Sequence, residues 1–482
     1  MNTIVFDLHH IFYDSSLMNN KNSSTPAEKL SPAIIFGETT ISWGNKFAPT
    51  TPLREVWQSD RNYLQFAANL ATKKNDYPIP SPQFDLIRIV HELETGSKER
   101  AAELYSTYQD WQRYVIKGEG LETLPRPSTA KCRELLADAT ILAGHADLDG
   151  IYSLAALIAR GGALSSLRKG SNINSLYSRI RMLRYGLRDL KEYTMLLMEG
   201  CTKPNVDSNN LLDTERVVVI DYAAHPKATL SLDHHTTALR YWPLGESSPC
   251  GIFDTSMPSC PSLLKLHCQI DIPNEVIIGC DLVDGAQYKT IEETIDFSNP
   301  FVSLELALSV DVSEPIQRKV VLTLAQNDLD PYSVLNEPVW QARIKLLQAE
   351  LAEQRSYWSK DTRYNLKHDL LAVADGKSSP YSSTRFRYLP FENTEVMKRP
   401  YLLTIRGGKP GRVNLGVARN PFYSDKTYFD DNYIDLGVMT QTLGTGGGRI
   451  EAAAVTVTSS DLQLTIESIK AAIDNSTGTG KG

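Results

Sequence analysis

The 482-residue chain contains no uninterrupted apolar run of about 20 residues, so no segment is expected to span a bilayer as a helix. Its first residues, Met1-Asn2-Thr3-Ile4, lack the basic region and long apolar core of a secretory leader. Its six cysteines, at 132, 201, 250, 260, 268 and 280, form no Cys-x-x-Cys pair. That argues against zinc ribbons and disulfide frameworks and for a reducing, cytoplasmic setting. Positive charge is not in excess either: the formal net charge is −7 and the pI about 5.8. Proteins that track long nucleic acids carry a basic face, because phosphate neutralisation dominates their affinity, and this balance points away from them. No internal repeat is found. What is present is apolar material for sizeable cores, 41% of residues, and a length that suggests three domains.

Acids and imidazoles concentrate where apolar runs end. Residues 139 to 144 (Ala-Thr-Ile-Leu-Ala-Gly) read as a buried strand, as do Val217 to Ile220 and Leu230 to Leu232. The first is followed by His145-Ala146-Asp147-Leu148-Asp149-Gly150, the second by Asp221, the third by Asp233-His234-His235. In open α/β sheets ligands collect outside the carboxyl ends of parallel strands, so these strands point to one crevice. A fourth apolar run, Glu275 to Cys280, ends at Asp281, with Asp284 one turn later; a helix would put both on one face. Anionic and neutral ligands converging in this way suit a pair of divalent cations that cleave a phosphoester. A lone Asp-x-Asp is usually a cap, and a lone His-His is usually solvated or packed. Here order, strand-end placement and ligand chemistry agree. His9-His10, after Ile4 to Asp7, reads as structural, since no second acidic cluster accompanies it.

Together the tripeptide, the His-x-Asp-x-Asp-Gly stretch and the intervening aspartate resemble the DHH phosphoesterase superfamily. That superfamily includes RecJ-type exonucleases, nanoRNases, cyclic-dinucleotide phosphodiesterases and manganese pyrophosphatases. The resemblance implies an α/β fold: a DHH domain with a mostly parallel sheet flanked by helices and a smaller C-terminal α/β domain across a cleft, here with an extra N-terminal region. It implies two manganese ions, with magnesium as the alternative, bridged by Asp221. His145 and Asp147 would hold one ion, Asp149 and His234 the other. His235 would face the scissile phosphate, and Asp233 would orient the imidazoles through hydrogen bonds. Asp284 or Asp281 would complete the set, with Asp284 favoured. His145 stands two residues before Asp147, where several relatives have four; this spacing resembles the archaeal and RecJ-like variants. The paired ions would activate a shared water and stabilise charge on the phosphoryl oxygens.

Residues 401 to 457 resemble the DHH-associated C-terminal domain, whose Gly-Gly-Gly-His loop grips the substrate nucleotide. Tyr401 to Ile405 and Arg412 to Ala418 read as a hairpin around Gly407-Gly408-Lys409-Pro410-Gly411. Arg419-Asn420-Pro421-Phe422 follows, then Ile434 to Leu443 with helical spacing, then Gly444-Thr445-Gly446-Gly447-Gly448-Arg449, read as a loop. Glycines let backbone N–H groups approach a phosphate. Arg449 stands where the family has histidine and offers a bidentate fork for a phosphate. The resemblance therefore implies Gly446, Gly447, Gly448, Arg449, Arg419 and Asn420 as substrate-binding residues.

The expected organisation is an N-terminal region of unknown role (1–130), the DHH domain (131–312), a helical connector (313–365), the C-terminal domain (366–474) and a disordered tail (475–482). The N-terminal region mixes a polar segment at Asn19 to Thr25, a Pro-rich stretch at Tyr77 to Pro82 and helices between Leu86 and Tyr114. The connector holds a long helix, Val339 to Lys360, striped by Trp340, Ile344, Leu347, Leu351 and Trp358. Between Arg168 and Lys191 the stripe Ile173, Leu176, Ile180, Leu183, Leu187, Leu190 reads as one helix, with Arg181, Arg184 and Arg188 on another face, read as a solvated face ahead of a phosphate-guiding arm. The expected function is metal-dependent hydrolysis of short RNA or DNA oligonucleotides or of linear or cyclic dinucleotides, without a membrane partner; a homodimer is allowed. Two alternatives stand beside it: a RecJ-like single-strand exonuclease, and a non-catalytic nucleotide-binding sensor or assembly subunit, motivated by Arg449.

Overall fold

The structure, a computed structural model, describes residues 5–7, 33–36, 39–42 and 51–52, and residues 118–478 except 165–172, 185–189, 200–214, 243–247, 311–312, 378–384, 409, 426, 433, 444 and 449. The helices expected between Leu86 and Tyr114, His9-His10 and Arg449 lie outside the described residues. Near the amino terminus, strands β1 (Val5–Asp7), β2 (Ala33–Phe36), β3 (Thr39–Ser42) and β4 (Thr51–Pro52) form a sheet of order β1-β3-β2-β4.

The central sheet contains β5 (Ile141–His145), β6 (Ile180–Leu183), β7 (Val217–Ile220), β8 (Leu230–Asp233) and β9 (Gly251–Phe253), in the order β6-β5-β7-β8-β9. Every pair is parallel. Parallel strands are covered on both faces, which is why β5 and β7 are continuously apolar up to their last residue, whereas β6 and β8 bury Arg181 and Ser231 within the run. On one face Ile141, Ala143, Val217 and Val219 pack with Tyr193, Leu197 and Tyr241. On the other, Leu142, Val218, Ile220 and Leu232 join a larger core built around the helix Leu148–Ala159. That helix is buried from Leu148 to Ile158, walled in by the helices Cys260–His267, Asn274–Asp284, Pro300–Leu308 and Glu314–Gln326.

The region around Arg181 departs from the expected helix. Ile173–Tyr177 is a short helix, and Ile180–Leu183 is strand β6, paired in parallel with β5. The apolar spacing satisfied a helical stripe, but ladder hydrogen bonds to β5 decide the local state. Arg181 is therefore not a solvated cation. It is fully buried and donates to the carbonyls of Ser178 (2.7 Å) and Ile180 (2.9 Å), and to that of Glu199. Glu199 follows the helix Leu190–Met198, so the guanidinium satisfies carbonyls at a helix C-terminus.

The long helix runs Pro338–Trp358, with proline in its first turn, and buries Trp340, Leu347 and Trp358 of the expected stripe. Glu314–Gln326, expected in the connector, packs along Leu148–Ala159. A second, mixed sheet follows: β10 (Tyr364–Asn365), β11 (Leu371–Gly376), β12 (Tyr401–Gly407), β13 (Arg412–Arg419), β14 (Thr445–Gly448) and β15 (Ala452–Thr458), in the order β10-β11-β12-β13-β15-β14. The expected hairpin is present as β12 and β13. Side chains alternate across the pleat. Leu403, Ile405, Leu415, Val417 and Val455 meet Leu436 and Met439 of the helix Leu436–Leu443 and Ile466, Ile469 and Ile473 of Leu462–Gly478. Ala372, Ala374 and Leu402 turn the other way and join the first core through Trp358, Phe386 and Phe391.

Two further expectations are corrected. The glycine-rich stretch is not a loop: Thr445–Gly448 is edge strand β14, paired with β15. The last helix continues past Asn475 to Gly478, into the stretch expected to be disordered. No described helix is long and apolar enough to cross a membrane.

Candidate metal centre

In chain order the central sheet runs 2-1-3-4-5, so its strand order reverses between β5 and β7. Crevices open at such reversals, outside the carboxyl ends of the strands. His145 ends β5, Asp221 follows β7, and Asp233 ends β8. Asp147 caps the helix Leu148–Ala159, its Oδ1 accepting from the N–H of Gly150 at 3.1 Å. The glycine closing the His-x-Asp-x-Asp-Gly stretch has a steric reason: a Cβ on Gly150 would lie 2.2 Å from the carbonyl oxygen of His145. Asp221 sits at φ 54°, a left-handed conformation that Asp tolerates better than most side chains. Such outliers persist where surrounding structure over-determines them.

Three overlapping sets of ligand atoms come within 4.8 Å of one another: His145, Asp147 and Asp221; Asp149, Asp221, His234 and Cys260; and Asp221, Asp233, His234 and His235. Asp221 is common to all three. His145 Nδ1 lies 2.5 Å from Asp147 Oδ2 and 3.9 Å from Asp221 Oδ2. His234 Nε2 lies 3.3 Å from both Asp149 Oδ2 and Asp221 Oδ1, and 3.4 Å from Asp284 Oδ2. The neighbouring groups are held by the backbone. Asp149 accepts from the N–H of Cys260 at 3.0 Å. Asp233 Oδ1 accepts from the N–H of His234 (2.8 Å), the N–H of His235 (3.1 Å) and Nδ1 of His235 (2.8 Å). Asp221 Oδ2 is buried with no hydrogen-bond partner among the described residues.

The electrostatics are those of an anionic pocket. Burial, and then the charges of Asp149, Asp147, Asp284 and Asp233, push the Asp221 carboxyl well above the usual range. Burial likewise raises Asp149. Burial opposes ionisation at Asp147 too, but His145 beside it holds that carboxyl below its ordinary value. Five acids packed so closely call for positive charge.

The two candidates for the fourth acid separate. Asp284 reaches His234, whereas Asp281 accepts hydrogen bonds from Ser259 Oγ (2.5 Å) and Ser262 Oγ (2.7 Å), at the start of the helix Cys260–His267. A cavity lined by Asp221, Tyr222, Ala223, Asp233, His235, Thr237, Arg240 and Gly448 brings the glycine strand of the second sheet to the acids of the first. Asn420 does not join it. Its amide donates to the carbonyls of Met397 (2.8 Å) and Arg399 (3.0 Å), and its Oδ1 accepts from Phe422 at 2.9 Å, so its polar atoms are committed to the fold. Arg419 donates to the Ile434 carbonyl at 3.0 Å and stacks 5.2 Å from the Phe429 ring centre.

Sequence reasoning missed Glu305, whose Oε2 accepts from the N–H of Leu148 at 3.2 Å, between the two motif aspartates. Burial and the charge of Asp147 push its carboxyl up to about 7. A signal existed: Glu305 is the one charged residue of the apolar helix Pro300–Leu308. Arg240, three residues past Thr237, had no such signal.

No family model and no curated protein matches the sequence. Among solved structures the chain is similar to a pGpG-specific phosphodiesterase, PggH, from Vibrio cholerae (TM-score 0.43, 14% identity, covering 70% of this chain and 99% of that one). It is also similar to the DHH domain of a member of a family of ribosomal proteins (TM-score 0.44, 12% identity, 89% and 99% covered). A third is exonuclease RecJ bound to manganese (TM-score 0.37, 13% identity, 73% and 95% covered). With TM-scores below 0.5 these remain likenesses to DHH-domain proteins, and what the site does rests on the residues of this chain.

Proposed function

We propose that the chain is a metal-dependent phosphodiesterase of the DHH type that hydrolyses short oligonucleotides or linear or cyclic dinucleotides. The observation that carries this reading is the sharing of Asp221 by all three sets of convergent ligand atoms. The donor set fits divalent cations on its own terms: buried or half-buried carboxylates and imidazoles, with Asp221 Oδ2 left without a hydrogen bond among the described residues. His145 and Asp147 would hold one ion, Asp149 and His234 the other, with Asp221 common to both and Asp284 beside His234. Manganese suits mixed imidazole and carboxylate ligation, with magnesium as the alternative. Such ions supply Lewis acidity at the phosphoryl oxygens and a more acidic water.

The protein's own part is orientation. Because a carbonyl only accepts, the 3.0 Å contact of His234 Nδ1 with Met257 places the hydrogen on Nδ1 and leaves the Nε2 lone pair towards the acids. Asp233 does the same for His235, which lines the cavity with one nitrogen free to hold or move a proton near the scissile phosphate. Gly448, on an edge strand, lines the cavity, and with Gly446, Gly447 and Arg449 it makes up the glycine-rich stretch that would bind the substrate. A cytoplasmic setting, as the cysteine pattern suggests, is part of this reading. The test is a manganese-dependent assay on dinucleotides and short RNA. Turnover abolished by Asp221→Ala supports the reading; intact substrate with the unaltered protein overturns it.

A further inference from the structure

Two cysteines meet away from the metal centre. Cys132 lies on the helix Thr129–Ala137, and Cys268 caps the C-terminal end of the helix Cys260–His267. Side chains of the first helix clamp the end of the second. Thr129 Oγ1 donates to the carbonyl of His267 at 3.2 Å, and Arg133 donates from Nε to that of Cys268 (3.3 Å) and from Nη2 to that of Gln269 (2.5 Å). Carbonyls at and beyond a helix end have no partner within the helix, so these side chains complete them. Gln269 takes the left-handed φ of 53° that ends the helix there.

Cys132 stands between the two clamping residues, and it and Cys268 are both wholly buried in one core. Their thiols hydrogen-bond to each other. That hydrogen bond, against burial, holds the Cys132 thiol below its ordinary range, while the same bond and then burial push the Cys268 thiol up. One sulfur is thus the readier thiolate and the other its hydrogen donor. Neither belongs to the sets of convergent ligand atoms around Asp221.

We propose that Cys132 and Cys268 are a redox-responsive pair that a hydroperoxide closes to a disulfide. With hydrogen peroxide, the Cys132 sulfur attacks one oxygen, the O–O bond breaks, water leaves and a sulfenic acid remains. The Cys268 sulfur then attacks the sulfenic sulfur. The S–S bond forms as the S–O bond breaks, and a second water carries off the remaining thiol proton; the two thiols have lost two electrons and the peroxide has gained them. Both sulfurs are buried, so oxidation proceeds through local opening of the helix Thr129–Ala137. The bridge joins elements far apart in sequence, which constrains the unfolded chain. It also fixes the far end of the helix whose first residue, Cys260, donates its N–H to Asp149. The inference stands whether or not the phosphodiesterase reading does.

The test treats the full, reduced chain with graded hydrogen peroxide and maps disulfides by peptide mass spectrometry without reduction. The expected product is a linked pair of peptides carrying Cys132 and Cys268 within one chain, with the melting midpoint raised by several degrees and both changes reversed by dithiothreitol. Cys132→Ala and Cys268→Ala each lose the linked pair and the rise, measured against their own reduced midpoints, whereas Cys250→Ala, at an exposed cysteine, keeps both. Recovery of Cys132 and Cys268 as free thiols at every dose overturns the pair. So does sulfinic or sulfonic acid at Cys132 with no bridge, or a bridge from Cys132 to Cys250 or to a second chain.

Discussion

His234 Nε2 stands 3.3 Å from Asp221 Oδ1, while its Nδ1 is held by the carbonyl of Met257 at 3.0 Å. One nitrogen is thus fixed by the backbone and the other is aimed at the acids. His234→Ala is expected to remove one manganese equivalent from a calorimetric titration and to lower kcat at least about 100-fold, since outer partners of a ligand alone cost 10- to 100-fold. Unchanged stoichiometry in the variant would refute this assignment.

Asp284 and Asp281 should part company in experiment as they do in space. Asp284→Asn is expected to weaken metal affinity on the order of 10- to 100-fold with little change in melting temperature. Asp281→Asn should do the reverse. It weakens two hydroxyl hydrogen bonds that steady the helix Cys260–His267, costing about 1–2 kcal/mol of stability while leaving metal affinity near the original value. Equal effects on both readouts would contradict the split.

Gly448 bears on both fold and binding. It has φ +154°, and a Cβ there would lie 2.4 Å from the carbonyl oxygen of Ala452 and 2.5 Å from Cα of Ala453. Gly448→Ala is expected to cost about 1–3 kcal/mol through displacement of β14. It should also raise KM, because the strand would shift from the cavity it lines. Chemical denaturation and steady-state kinetics check the two halves independently.

His225 supplies a pH dependence away from the metal centre. It is buried, accepts at Nδ1 from the N–H of Lys227 (3.1 Å), and so carries its hydrogen on Nε2, 3.0 Å from Thr194 Oγ1. Burial, then Lys227, holds its pKa down to about 3. Between that value and the ordinary one near 6.5 the unfolded chain binds the extra proton, so stability falls as pH drops through this window. The slope from this group is at most about 1.4 kcal/mol per pH unit. His225→Gln should flatten it, as read from denaturation midpoints between pH 4 and pH 7; an unaltered slope would count against a neutral buried imidazole.

Much of the site was legible before any coordinates. Uninterrupted apolar runs of four or five residues signal strands buried on both faces, and the polar residue that ends such a run lies at the strand's carboxyl end, where an α/β sheet opens. That was enough to group His145, Asp147, Asp149, Asp221 and His234. Ile180 to Leu183 misled because its spacing also fits a helical stripe, and only pairing with β5 settles which period applies. Arg181, a surface cation by that reading, is one of the most buried side chains of the fold.

By itself the sequence determined the identity and order of the ligand-bearing groups, since strand ends follow from local hydrophobic pattern. Only the tertiary structure decided which of Asp281 and Asp284 reaches His234, that Asn420 serves the fold, that the glycines form an edge strand, and that Glu305 stands against the helix bearing Asp149. Those choices depend on the packing of elements far apart along the chain, and no local pattern records which face of a helix or sheet meets a partner more than 100 positions away.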